Sequence, residues 1–163
     1  MAQAVTDRTA DAMDDAGGAQ SSAAALSALL HFLDGPSVDL LRRVLGLTSS
    51  GTVRLVDRLE KAGYVRRGPG EDGRSVSIWL TEPGREAAQR VAGARADVIE
   101  SALSALSPGE RGELDALMSK LLAGLIRGPG AVRWLCRLCD TGACGRQQGR
   151  CPVANAAKER YLA

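Results

Sequence analysis

At 163 residues and 17.0 kDa, the chain has the length of one domain with room for an appendage. Hydrophobic residues make up 45% and charged residues 25%, which excludes wholesale disorder and fibrous structure, and no apolar run approaches the roughly 18 residues of a membrane span. The net charge of +2 joins unlike parts, −5 over residues 1–41, +4 over 42–74, −1 over 75–127 and +4 over 128–163, so two stretches are candidate polyanion footprints.

The N-terminal MAQAVTDRTADAMDD is acidic and lacks an apolar core, which predicts a cytoplasmic protein without a secretory leader. Between Ser21 and Leu33, Ala24, Leu26, Leu29, Leu30 and Leu33 recur at near-helical spacing, and Asp34-Gly35-Pro36 stops that helix. Ser37 or Val38 to Leu45 reads as a short helix with Leu40, Leu41, Val44 and Leu45 inward, ended by Gly46 in the left-handed C′ position. Thr48 offers an N-cap to a third helix that starts near Ser49 and stops at Ala62-Gly63. Val53, Val56 and Leu59 are expected inside it, with Leu55 partly shared.

Tyr64 to Arg67 is strand-like, Gly68 to Gly73 reads as a loop, and Ser75 to Leu80 alternates with Val76, Ile78 and Leu80 on one face, which makes a β-hairpin. Thr81 caps the next helix, with Pro83 in its first turn, and that helix runs to about Leu106. Ser107 and Glu110 have capping-box spacing and open a helix striped by Leu114, Leu117, Met118, Leu121, Leu122, Leu125 and Ile126. Gly128-Pro129-Gly130 ends it as a hinge. The stripe suits packing on the preceding helix or on a second chain. Because symmetric dimers dominate soluble oligomers, the terminal helices are expected to form a homodimer interface.

The fold class is mainly α with a small β-hairpin wing, a winged helix-turn-helix core flanked by dimerisation helices. Four segments follow: N-terminal dimerisation helices over 1–33, the DNA-binding domain over 34–84, C-terminal dimerisation helices over 85–127 and a cysteine-rich metal-binding tail over 128–163. In this fold the second helix enters the major groove of double-stranded DNA. The residues it offers are Ser49, Ser50, Thr52 and Arg54, then Arg58 and Lys61. The hairpin tip is expected to offer Arg66, Arg67 and Arg74 to the narrow minor groove. No nucleophile–base pair, phosphate loop or carboxylate dyad is visible, so the chain is not read as an enzyme.

The run LRRVLGLTSSGTVRLVDRLEKAGYVRRGPGEDGRSVSIWLTEPGREA resembles the DNA-binding core of the MarR family of transcriptional regulators. The likeness rests on Leu45-Gly46-Leu47, Arg54, Val56-Asp57-Arg58-Leu59, Ala62-Gly63, Asp72-Gly73-Arg74, Leu80-Thr81 and Gly84. It implies a homodimer that binds a pseudo-palindromic operator and represses by blocking transcription. By the same resemblance Arg74 is the wing arginine in the minor groove, and Asp72 orients it or braces the wing. A small-molecule effector of the kind common in the family stays open, although aromatics are only 3% of the chain.

Past Gly130 the sequence leaves the family pattern. Cys136, Cys139, Cys144 and Cys151 follow C-x2-C-x4-C-x6-C spacing, and in a reducing cytosol such a cluster reads as metal ligands before disulfides. Structural zinc usually joins two knuckle-like pairs, whereas a compact series ending in Cys-Pro is nearer to iron–sulfur ligation. Cys151-Pro152-Val153-Ala154-Asn155 is also similar to the terminal ligand region of SoxR-type redox regulators. The expectation is a redox-sensing iron–sulfur centre, 4Fe-4S favoured. The alternatives are structural zinc, with a separate small-molecule ligand, or a thiol/disulfide switch. His31, the one histidine, is read as a core or interface residue and not as a ligand.

Overall fold

The computed structural model describes residues 7, 20–70, 75–128 and 131–161. In chain order these form α1 (Gln20–His31), α2 (Val38–Leu45), α3 (Ser49–Lys61), β1 (Val65–Pro69), β2 (Val76–Leu80), α4 (Glu82–Leu103), α5 (Pro108–Gly124), α6 (Ala131–Leu135) and α7 (Pro152–Tyr161). A 3₁₀ turn, Cys136–Leu138, continues α6.

Hydroxyl caps set the helix starts. Ser37 Oγ accepts from Leu40 N at 3.2 Å, Thr48 Oγ1 from Gly51 N at 3.1 Å and Thr81 Oγ1 from Gly84 N at 3.1 Å, each satisfying an amide that its helix leaves unpaired. Ser107 and Glu110 close a reciprocal capping box, with Ser107 N donating to Glu110 Oε2 at 2.8 Å. Gly46 ends α2 at φ +68°, a left-handed conformation that disfavours any residue with a Cβ.

The main core lies where α1 to α4 meet the hairpin. Leu26, Leu41, Leu55, Val56, Leu59 and Ile78 are fully buried there. α1 is interred along most of its length, from Ser22 to Leu29. Thr81 N donates to Tyr64 O at 3.1 Å, and Gly84 packs on the same carbonyl so closely that a Cβ would overlap it. The foot of the hairpin is thereby fastened to α4.

Several sequence expectations need correction. In α3 the buried stripe is Thr52, Leu55, Val56 and Leu59, spaced i, i+3, i+4, i+7, and Val53 is 46% exposed because it is one helical step out of phase. Gly68 and Pro69, expected in a loop, lie in β1. They pair with Ser77 and Val76, and Pro69 is tolerated because it ends the ladder of a two-stranded sheet. Val76 is exposed and Ser77 buried, since the segment before α2 covers that end of β2: Ser37 bridges Ser77, and Ile78 N donates to Pro36 O at 3.0 Å. Helix α4 stops at Leu103 and α5 at Gly124, both short of expectation.

Leu117, Met118, Leu121 and Leu125 of the striped segment face outward from the single chain. Ile126, expected at the end of that stripe, instead turns into a second small core with Val132, Cys136, Cys151, Val153 and Ala157. Tyr161 Oη donates to Ile126 O at 3.4 Å and Arg160 Nη1 to Ala123 O at 2.9 Å, so α7 is tied back onto the end of α5. No described helix is long and apolar enough to cross a membrane.

Candidate nucleic-acid interface and cysteine site

The N-terminal face of α3 carries little bulk. Ser49 and Ser50 are exposed beside the Thr48 cap, and Arg54, Arg58 and Lys61 follow on the exposed side without a carboxylate partner among the described residues. Small polar side chains at a helix tip with free cations behind them suit close approach to base edges and phosphates. Thr52 does not join them. It is fully buried, and its Oγ1 donates to Thr48 O at 2.9 Å, so the hydroxyl serves the first helical turn. The helical phase that buries Leu55, Val56 and Leu59 carries that signal in the sequence itself.

Arg66 and Arg67 are not at the hairpin tip. They pair with Trp79 and Ile78 in the middle of the ladder, and the Arg66 guanidinium lies 5.9 Å from the Trp79 ring centroid. Arg67 turns away from solvent-borne partners toward α3. Its Nη2 meets Asp57 Oδ1 at 2.6 Å, its Nη1 pairs with Glu60 Oε2, and its backbone N donates to Glu60 Oε1 at 3.2 Å. The hydrogen bond to Asp57, with the Glu60 charge beside it, holds the guanidinium proton more tightly than usual. Arg67 is therefore a clamp between α3 and the hairpin. Asp72 and Arg74 lie outside the described residues.

The tail brings its cysteines together as two pairs. The Cys136 thiol donates to Cys139, which lowers Cys139 to about 6 against the cost of its burial and pushes Cys136 up. Arg95 and Arg146 add favourable charge to Cys139 and Cys136 respectively. Cys144, raised by burial, interacts with Cys151 and Cys139 and points its thiol at Thr141 O, 3.6 Å away. Ala154 N reaches Cys151 Sγ at 3.5 Å. Cys136 and Cys151 are buried, Cys139 and Cys144 half-buried, and all four are free thiols. Among the described residues no three His, Cys, Asp or Glu side chains stand ready around one metal position. The donor chemistry nevertheless fits a thiophilic group: four sulfurs facing one small apolar core, with two cations near them.

His31 and Asp140 form a contact that the sequence reading missed. His31 Nδ1 lies 3.7 Å from Asp140 Oδ1, and Thr141 Oγ1 donates to His31 O at 3.0 Å. The same Asp140 oxygen accepts from Gly142 N at 2.8 Å and Ala143 N at 3.1 Å, shaping the loop between Cys139 and Cys144. A cavity of about 380 Å³ separates this loop from α4, lined among others by Arg95, Ile99, Leu138, Cys139 and Cys144.

With that geometry in view, likeness to known proteins can be placed. Residues 20–75 match the MarR family. A MarR family protein from Bacillus stearothermophilus superposes with a TM-score of 0.65 at 27% identity, covering 74% of this chain and 84% of that one. The transcriptional repressor MprA of Escherichia coli K12 is 34% identical over 82 residues, 50% of this chain and 47% of the repressor. This chain thus matches about half the length of that curated relative. The Staphylococcus aureus MepR–DNA complex shares the fold, with a TM-score of 0.61 at 19% identity over 76% of this chain and 92% of that one.

Proposed function

We propose that this chain is a DNA-binding transcriptional repressor that acts as a homodimer on a pseudo-palindromic operator. The carrying observation is α3, which exposes Ser49, Ser50, Arg54 and Arg58 and is tied to the hairpin where Arg67 pairs with Asp57 and Glu60. Two such helices in a dimer meet half-sites about one helical turn apart. The exposed apolar face of α5, Leu117, Met118, Leu121 and Leu125, is the surface expected to meet a second copy. Arg74 is assigned to the minor groove by the MarR resemblance. A gel shift on the protein's own upstream duplex against a scrambled duplex tests this reading, and equal affinity for both contradicts it.

We further propose that Cys136, Cys139, Cys144 and Cys151 hold an iron–sulfur centre, 4Fe-4S by preference, with structural zinc as the alternative. Such a centre supplies an oxidant-labile group, whereas zinc supplies a redox-inert clamp. The chain's own part is clearer: Arg95 and Arg146 offset thiolate charge, and Thr141 and Asp140 fasten the cysteine loop to the end of α1. Loosening that fastening shifts the recognition helices relative to each other. An anaerobic preparation is expected to be brown and to contain iron and sulfide. A colourless protein with stoichiometric zinc leaves the tail as a staple.

A further inference from the structure

The tail reaches the helix-turn-helix at one more point. Helix α6 packs against α2. Trp134 covers the turn ahead of the recognition helix, since a Cβ built on Gly46 would lie 3.4 Å from the indole Nε1. Gly46 is two residues before the Thr48 cap of α3. Despite this contact Trp134 remains 46% exposed, and its N–H finds no acceptor among the described residues. Arg137 stacks its guanidinium 4.6 Å from the indole centroid and is pinned by Nη1 to Trp134 O at 2.9 Å. Arg133 is exposed and has no carboxylate partner among the described residues. Residues 128–163 carry a net charge of +4.

We infer that α6 and the 3₁₀ turn that continues it form a second contact surface for duplex DNA, on which Arg133 and Arg137 meet phosphates flanking the groove that α3 enters. The inference rests on the proposed reading of α3 as a recognition helix. Phosphates line both edges of the major groove, so an element beside the leading end of a recognition helix lies near that rail. Charge sign matches, and Trp134 of α6 lies against Gly46, two residues before the Thr48 cap of α3. Stacking on Trp134 and the bond to its carbonyl pre-organise the Arg137 guanidinium, and little side-chain freedom is lost when such a group binds. Cys136 follows Trp134 by two residues in the chain. Phosphate contacts carry no sequence information. The α6 surface therefore adds affinity to any duplex and leaves base discrimination to α3.

The full-length chain is titrated by fluorescence anisotropy with the upstream duplex and a scrambled duplex at several salt concentrations. Arg133→Gln should weaken both duplexes by the same factor and reduce the log–log salt slope by about 0.9 for each bound chain, the value of one phosphate contact. Arg133→Lys should restore the slope. Arg90→Gln, an exposed cation on α4, should leave it unchanged. Wild-type slope and affinity in Arg133→Gln, or a loss confined to the operator, overturns the inference. If the wild type prefers its operator and Arg54→Ala loses that preference while Arg133→Gln is silent, only the α6 surface fails. If the wild type binds neither duplex, the recognition-helix reading fails and this inference falls with it.

Discussion

Arg67→Ala separates a clamp from a DNA contact. The Arg67 side chain is 33% exposed and its partners Asp57 and Glu60 are 56% and 37% exposed, so water screens both ion pairs. Screened pairs of this kind contribute about 0.2–1 kcal/mol each, and the two together about 0.5–2 kcal/mol. For a chain of this size about 2–4 °C accompanies each kcal/mol, so the variant should melt a few degrees lower, with the gap closing as salt rises. Removing the guanidinium also uncovers two carboxylates on the recognition helix, and affinity for operator should fall several-fold. The salt slope should not change, because Arg67 is committed to Asp57 and Glu60. Differential scanning fluorimetry and anisotropy titrations read the two quantities. An unchanged melting temperature with a slope reduced by about 0.9 for each bound chain would show that Arg67 holds a phosphate and would refute the clamp.

Arg54→Ala should erase about 1–3 kcal/mol of discrimination between operator and scrambled DNA, whereas Arg74→Ala should lower the salt slope by about one unit; parallel anisotropy titrations distinguish them. Gly46→Ala should destabilise the fold by about 1–2 kcal/mol in urea unfolding, because φ +68° is strained for a residue with a Cβ. The Ser107 hydroxyl and backbone N–H hold Glu110 below its ordinary carboxylate range. A carboxylate lowered on folding stabilises above its unfolded pKa and loses that effect as pH falls through the folded value. The stability gap between wild type and Glu110→Gln should thus be present at neutral pH and vanish in acid, and a gap independent of pH would contradict the capping box.

Local signals made the helical frame legible. Ser37, Thr48, Thr81 and Ser107 each cap the helix their position implies, because a cap is decided within four residues. Thr52 was misplaced through its polar side chain, although its helical phase already puts it inside. What the sequence hides is contact between elements. Arg67 reads as one more basic wing residue until the hairpin folds back and brings Asp57 and Glu60 against it. His31 and Asp140 are separated by most of the chain, and no periodicity links them. The cysteine spacing names a donor set, but the packing of Trp134 on Gly46 depends on how the tail docks.

The central claim is that α3 and its wing read a specific duplex. Anisotropy titration of the intact chain with its upstream duplex and a scrambled duplex, at several salt concentrations, tests it most directly. Operator affinity is expected to be about a thousandfold or more above that for scrambled DNA, falling steeply with salt and saturating at two chains per operator. Equal, weak affinity for both duplexes would contradict it.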